Sequence, residues 1–162
     1  MRDITIVSID YNHPEETAIR MEQYIKELDA KEGLLFTNRR CGTNLHTVIN
    51  VKNLDTKRDE SFFKLSQLPQ YIKTGYYLYI DPQARLVNPD AWDDSFLSYH
   101  YVAGAWPHHP KSFIPGYPVV SLFNSVGPGS FSLRSRLLAL TVQGIFLEMS
   151  RQNSFSDLLW TH

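Results

Sequence analysis

ITIVSIDYNHPEETAIRMEQYIKELDAKEGLLF, Ile4 to Phe36, decides the fold. Ile4 to Ile9 is a short β-branched apolar run, the pattern of a strand buried on both faces. It gives way at Asp10-Tyr11-Asn12 to polar residues. Pro14 followed by Glu15 and Glu16 has the composition of a first helical turn, because proline there sacrifices no needed amide and acids favour the helix N-terminus. Ala18, Met21, Ile25 and Leu28 then recur at helical spacing. Gly33 is read as the stop of that helix, and Leu34-Leu35-Phe36 as a second strand. Together these residues predict a βαβ unit with parallel strands and a right-handed crossover.

The pattern continues downstream. His46 to Val51 is a third strand candidate. Ser61 is expected to cap a helix carrying Phe62, Leu65 and Leu68 that stops or kinks near Pro69. Tyr76 to Ile80 is a fourth strand, closed by Asp81-Pro82-Gln83. Alternating strands and helices argue for an α/β fold with a mostly parallel sheet. Ligands of such sheets bind outside the carboxyl ends of the strands. The residues at those ends set the candidates for ligand contact: Ser8, Asp10, Thr37 and Arg39. Asp81 is the candidate metal ligand, since a carboxylate at a strand end can take Mg²⁺ or Mn²⁺. The plainer reading of Asp81 is a turn aspartate before proline.

The second half changes character. Trp92 to Val102 is rich in aspartate and aromatics. Asp90, Asp93 and Asp94 are read first as capping and solvated charges, and otherwise as binders of substrate hydroxyls. Ala103 to Pro118 carries four prolines and two glycines, so a long loop is expected there. Within it Trp106 either stacks on a sugar ring or plugs the core, and His108 and His109 are read as solvated. In SVGPGSFSLRS, Ser125 to Ser135, Gly127 and Gly129 allow close backbone approach. A helix from Ser135 to about Ser150 is expected directly after this turn, with Leu137, Leu138, Thr141, Ile145 and Met149 near one face. Its N-terminal amides would favour an anion. The spacing matches neither the P-loop nor the dinucleotide fingerprint.

Composition narrows the function classes. The chain has 162 residues, enough for one domain with a sizeable core, and no internal repeat divides it. A net charge of −1, from 16 basic and 17 acidic residues, leaves no electrostatic footprint for nucleic acid. Cys41 is alone, which excludes a disulfide framework and a cysteine metal cluster. The N-terminus lacks a signal peptide's apolar run, and no segment reaches the ~20 apolar residues of a membrane helix. A cytoplasmic location is the expectation.

LVNPDAWDDSFLSYHYVAGAWP (Leu86 to Pro107) and VGPGSFSLRSR (Val126 to Arg136) resemble a glycosyltransferase-like family of unknown function, whose signatures run NPDAWDD and VGNGGFSLRS. ITIVSIDYNHPE, LLFTNR and the terminal SDLLWTH extend the resemblance over nearly the whole chain. The family is similar to GT-A glycosyltransferases. The resemblance therefore implies a Rossmann-like, three-layer GT-A fold in one domain spanning residues 1–162. It implies a nucleotide-diphosphate sugar donor, a glycan or other hydroxyl acceptor, and a divalent metal, Mn²⁺ or Mg²⁺. Carried over by position, Trp106, Ser125, Gly127, Gly129, Ser130 and Arg134 contact sugar or acceptor, and Asp157 acts as catalytic base. The family's metal-region aspartate falls on Gln83, two positions from Asp81. Its glycine-turn asparagine falls on Pro128, and an aspartate of its central motif on His100. The alternative implied is a non-catalytic nucleotide- or carbohydrate-binding relative, working with a partner protein or as a homo-oligomer.

Overall fold

The computed structural model describes residues 1–43, 47–51, 54, 56–104 and 130–151. Its described elements are strands β1 (Arg2–Ile9), β2 (Ala30–Thr37), β3 (Thr47–Asn50), β4 (Tyr76–Ile80), β5 (Tyr101–Ala103) and β6 (Phe131–Ser135), with helices α1 (Pro14–Glu27), α2 (Lys57–Ser66), α3 (Leu68–Tyr71) and α4 (Arg136–Arg151). The strands form one six-stranded sheet in the order β3-β2-β1-β4-β6-β5. The protein is therefore α/β with a mixed sheet. β3, β2, β1 and β4 run parallel, as the alternating pattern predicts. Parallel pairing ends at β4, because β6 returns antiparallel and β5 pairs antiparallel with β6.

β1 sits between β2 and β4, and its six residues from Ile4 to Ile9 are all buried. Its side chains alternate between two cores. Ile4 and Ile6 join Met21, Tyr24 and Leu28 of the α1 side. Val7 and Ile9 join Phe36, Phe63 and Leu68 on the side of α2 and α3. A strand with helices on both faces is buried along its length, so ITIVSI is mostly apolar and its two hydroxyls, of Thr5 and Ser8, are hydrogen-bonded.

Five local expectations are corrected. Helix α1 ends at Glu27, and Asp29 makes the reversal with φ of 50°, a left-handed conformation that aspartate tolerates. Gly33 lies inside β2, opposite Ile6. Helix α2 starts earlier than Ser61, because Thr56 and Asp59 form a reciprocal capping box: the Asp59 amide donates to Thr56 Oγ1, and the Thr56 amide donates to the Asp59 carboxylate, each at 3.1 Å. Leu68 belongs to α3, where Pro69 takes an early helical position after the break. The glycine turn does not lead straight into a helix: Phe-Ser-Leu-Arg-Ser alternates with period two, and it forms β6 before α4 begins. Nor does α4 bury the face expected. Ala139 and Gln143 are buried, and Gln143 Nε2 donates to Ser66 O at 2.6 Å, while Leu137 and Ile145 stay 64% and 57% exposed.

Candidate functional site at the carboxyl ends of β1 and β4

The strand order places a topological switch point between β1 and β4. From β1 the chain turns through α1 to β2 on one side. It reaches β4 on the other side only after α2 and α3. Loops leaving two such neighbours diverge and open a crevice at their carboxyl ends. A cleft of about 450 Å³ lies there. Asp10 to His13 after β1 form one wall, and Asp81 to Gln83 with Arg85 after β4 form the other. Arg20 and Glu16 of α1 and Glu60 of α2 also face it. The volume lies within the roughly 300–1,000 Å³ typical of small-molecule sites.

Asp10 and Asp81 occupy equivalent strand ends but are held differently. Asp10 is buried, with 6% of its surface exposed. Its Oδ1 accepts from the amides of Asn12 (2.9 Å) and His13 (3.1 Å), and its Oδ2 accepts from Thr17 Oγ1 (2.6 Å). The amides of the two residues just before α1 are thus already held by this carboxylate. Asp81 uses one oxygen, Oδ1, to accept from the Gln83 amide at 3.0 Å. Its Oδ2 has no partner among the described residues. The Asp81 amide donates to Ser130 O at 2.6 Å, which places Ser130 beside Asp81.

Two guanidinium groups border the same loop. Arg20 and Arg85 both donate to Pro82 O, at 3.0 and 2.9 Å. Arg20 also reaches Thr17 Oγ1 and lies 3.7 Å from Glu16. Arg85 donates otherwise to Ala84 O and meets no carboxylate among the described residues. Tyr79, which does not line the cleft, donates its hydroxyl to Glu60 Oε1 at 3.2 Å. Burial, together with the charges of Glu60 and Asp81, holds the Tyr79 phenol far above its ordinary range, so it stays protonated.

The other candidates take varied positions. Ser8 is buried and donates to Ile80 O at 2.7 Å, tying β1 to β4 beneath the cleft. Thr37 is fully buried, and its hydroxyl has no hydrogen-bond partner among the described residues. Arg39 donates to Asn12 O (2.9 Å) and Glu15 (3.3 Å), so it braces the loop after β1. Neither Thr37 nor Arg39 lines the cleft. Arg134 projects into a separate cavity over the sheet. Trp106, Ser125, Gly127, Gly129 and Asp157, with His108 and His109, lie outside the described residues.

Two aspartates of NPDAWDD, Asp93 and Asp94, make structural bonds. Asp93 Oδ1 accepts from the Ser95 amide at 2.8 Å and caps a short 3₁₀ turn. Asp94 Oδ1 accepts from both Arg2 Nε and Trp92 Nε1 at 2.8 Å. These bonds hold both carboxyls below the ordinary carboxylate range, the Ser95 amide acting on Asp93 and chiefly Arg2 on Asp94. Cys41 is held above the ordinary thiol range, by burial first and then by Glu15, which suits an inert thiol.

Sequence reading missed Arg20 and Arg85. Arg20 stands four residues after Glu16, off the apolar face of α1, and Arg85 sits in the turn closing β4. Only the strand order brings them together. Among the described residues no group of three histidine, cysteine or acidic side chains could hold a metal. No helix of the described residues is long and apolar enough to cross a membrane. Compared with known proteins, the chain matches no family model, no curated protein and no solved structure.

Proposed function

We propose that the cleft between β1 and β4 binds a nucleotide-diphosphate sugar and that the protein is a GT-A-like glycosyltransferase, passing the sugar to a hydroxyl acceptor. The observation that carries this reading is a cleft at the switch point with two guanidinium groups at its rim and a strand-end carboxylate, Asp81, that keeps one oxygen uncommitted. A diphosphate supplies two or more negative charges, and Arg20 and Arg85 suit it as fork-shaped donors. The NPDAWDD and VGPGSFSLRS motifs support the sugar-transfer class by resemblance. In the transfer the acceptor hydroxyl gives its proton to a carboxylate, its oxygen bonds to the sugar's anomeric carbon, and the bond from that carbon to the diphosphate breaks. The nucleoside diphosphate leaves with the bonding electrons. Asp157 is the base in this proposal.

Asp81 alone does not make a metal site, since the described residues hold no group of three histidine, cysteine or acidic side chains around it, and Asp10 has both oxygens engaged. A cation would have to be completed by phosphate oxygens and water, so no step is routed through one. The same shortage favours a second reading, a nucleotide-binding relative that does not catalyse.

Calorimetry with UDP and GDP, each with and without Mn²⁺, tests both. Binding near 1 μM, about −8 kcal/mol, that weakens at least about tenfold in Arg85→Gln supports the cleft assignment. Dependence on Mn²⁺ adds Asp81 as its ligand. Binding without sugar release in the presence of donor and glycan acceptors selects the non-catalytic reading. No binding of either nucleotide overturns the proposal.

A further inference from the structure

A second cavity, of about 250 Å³, lies over the sheet face covered by α2 and α4. Tyr77, Arg134 and Tyr101 are register partners across β4, β6 and β5, so they project from the same face and form its floor. Leu65 of α2 and Leu138, Ala139 and Val142 of α4 form an apolar roof, and Lys64 closes one side.

The charges do not balance. Lys64 is ion-paired with Glu60, and its ammonium lies 3.9 Å from the centre of the Tyr79 ring. Arg134 is half-buried, donates through Nε to Ser132 Oγ at 3.2 Å, and stacks 5.3 Å from the Tyr101 ring centre. It meets no carboxylate among the described residues. Of the chain's 17 acidic side chains, only Asp55 and Asp157 fall outside those residues. A half-buried cation without a counter-ion costs free energy that an anion in the cavity would recover. Tyr77 adds a hydroxyl beside Arg134. Burial holds that phenol above its ordinary range, with the Arg134 charge acting the other way, so it remains a donor.

We propose that this cavity binds a small organic monoanion, a carboxylate carried on a ring or short branched hydrocarbon, with Arg134 as its counter-ion and the α2–α4 roof taking the apolar body. One guanidinium without a carboxylate partner among the described residues sets the charge at one. The volume is below that of typical drug-sized sites and sets the size. The site is separate from the strand-end cleft and does not depend on the reading of that cleft.

Ligand-observed NMR titration with benzoate, and with benzyl alcohol as its neutral counterpart, tests the proposal. Benzoate is expected to bind saturably with Kd on the order of 1 mM, with benzyl alcohol at least about tenfold weaker. Arg134→Gln should bring benzoate down to the level of benzyl alcohol. Val142→Phe, which fills the roof and leaves the guanidinium in place, should abolish both. Asp81→Ala should leave benzoate binding unchanged. If Arg134→Gln fails to fold, Val142→Phe and the benzoate-to-benzyl alcohol ratio decide. Equal binding of the two ligands, benzoate binding that survives Val142→Phe, or no benzoate binding overturns the proposal.

Discussion

Asp10 and Asp81 end neighbouring parallel strands and face one cleft, yet they do opposite work. Asp10 is buried and accepts three hydrogen bonds from the segment that opens α1. Asp81 keeps an oxygen for something else. A strand-end carboxylate is therefore assigned by counting its bonds rather than by its place in the motif. The residue that looks most like an anion-site neighbour is a brace, and the residue most like a turn aspartate is the one with chemistry to spare.

The largest effect should separate the two. Asp10→Ala leaves two amides and a hydroxyl without their acceptor and should cost about 3 kcal/mol in denaturant unfolding. Asp81→Ala should cost less than about 1 kcal/mol and act on nucleotide binding instead. Equal costs would dissolve the contrast. Thr17→Val removes only one donor to Asp10 and should cost about 1–2 kcal/mol, with Asp10 still held by two amides. A neutral result there would mean that the amides alone hold Asp10.

The smallest effect is a pH dependence elsewhere in the fold. The Asp94 carboxyl is held below its ordinary value by Arg2 and Trp92. A depressed folded-state pKa gives stability that is present above the unfolded value, about 3.9, and lost as pH falls through the folded one. Asp94 is exposed, so the effect is small and screened by salt. Melting temperature measured from pH 5 to pH 2 should fall less steeply in Asp94→Asn than in the parent. Identical slopes would show that the Arg2 contact contributes nothing in solution.

The parallel half was legible because ITIVSI, LLF and YYLYI have no polar face, and only burial between helices accounts for that. The antiparallel half was harder to read. β6 hides in a glycine-rich motif whose serines made its alternation look like a turn, and β5 has only three residues. Thr56 and Asp59 did signal the start of α2, but Ser61 drew the assignment. Within the site, Asp10 and Asp81 could be placed at strand ends from sequence. Their different bonding could not, because it depends on where Thr17 and Gln83 point their donors. Arg20 and Arg85 could not be paired either, since they meet only through the Pro82 carbonyl.

The Ser8–Ile80 bond that ties β1 to β4 spans 72 residues, whereas the Thr5–Glu32 bond between β1 and β2 spans 27. Closing the longer loop costs about 0.9 kcal/mol more in chain entropy. The β1–α1–β2 unit can therefore assemble before β4 arrives, and it carries only one wall of the cleft. A nucleotide that spans both walls would have nothing to grip on that early unit. Its presence should slow unfolding and leave the earliest step of folding untouched.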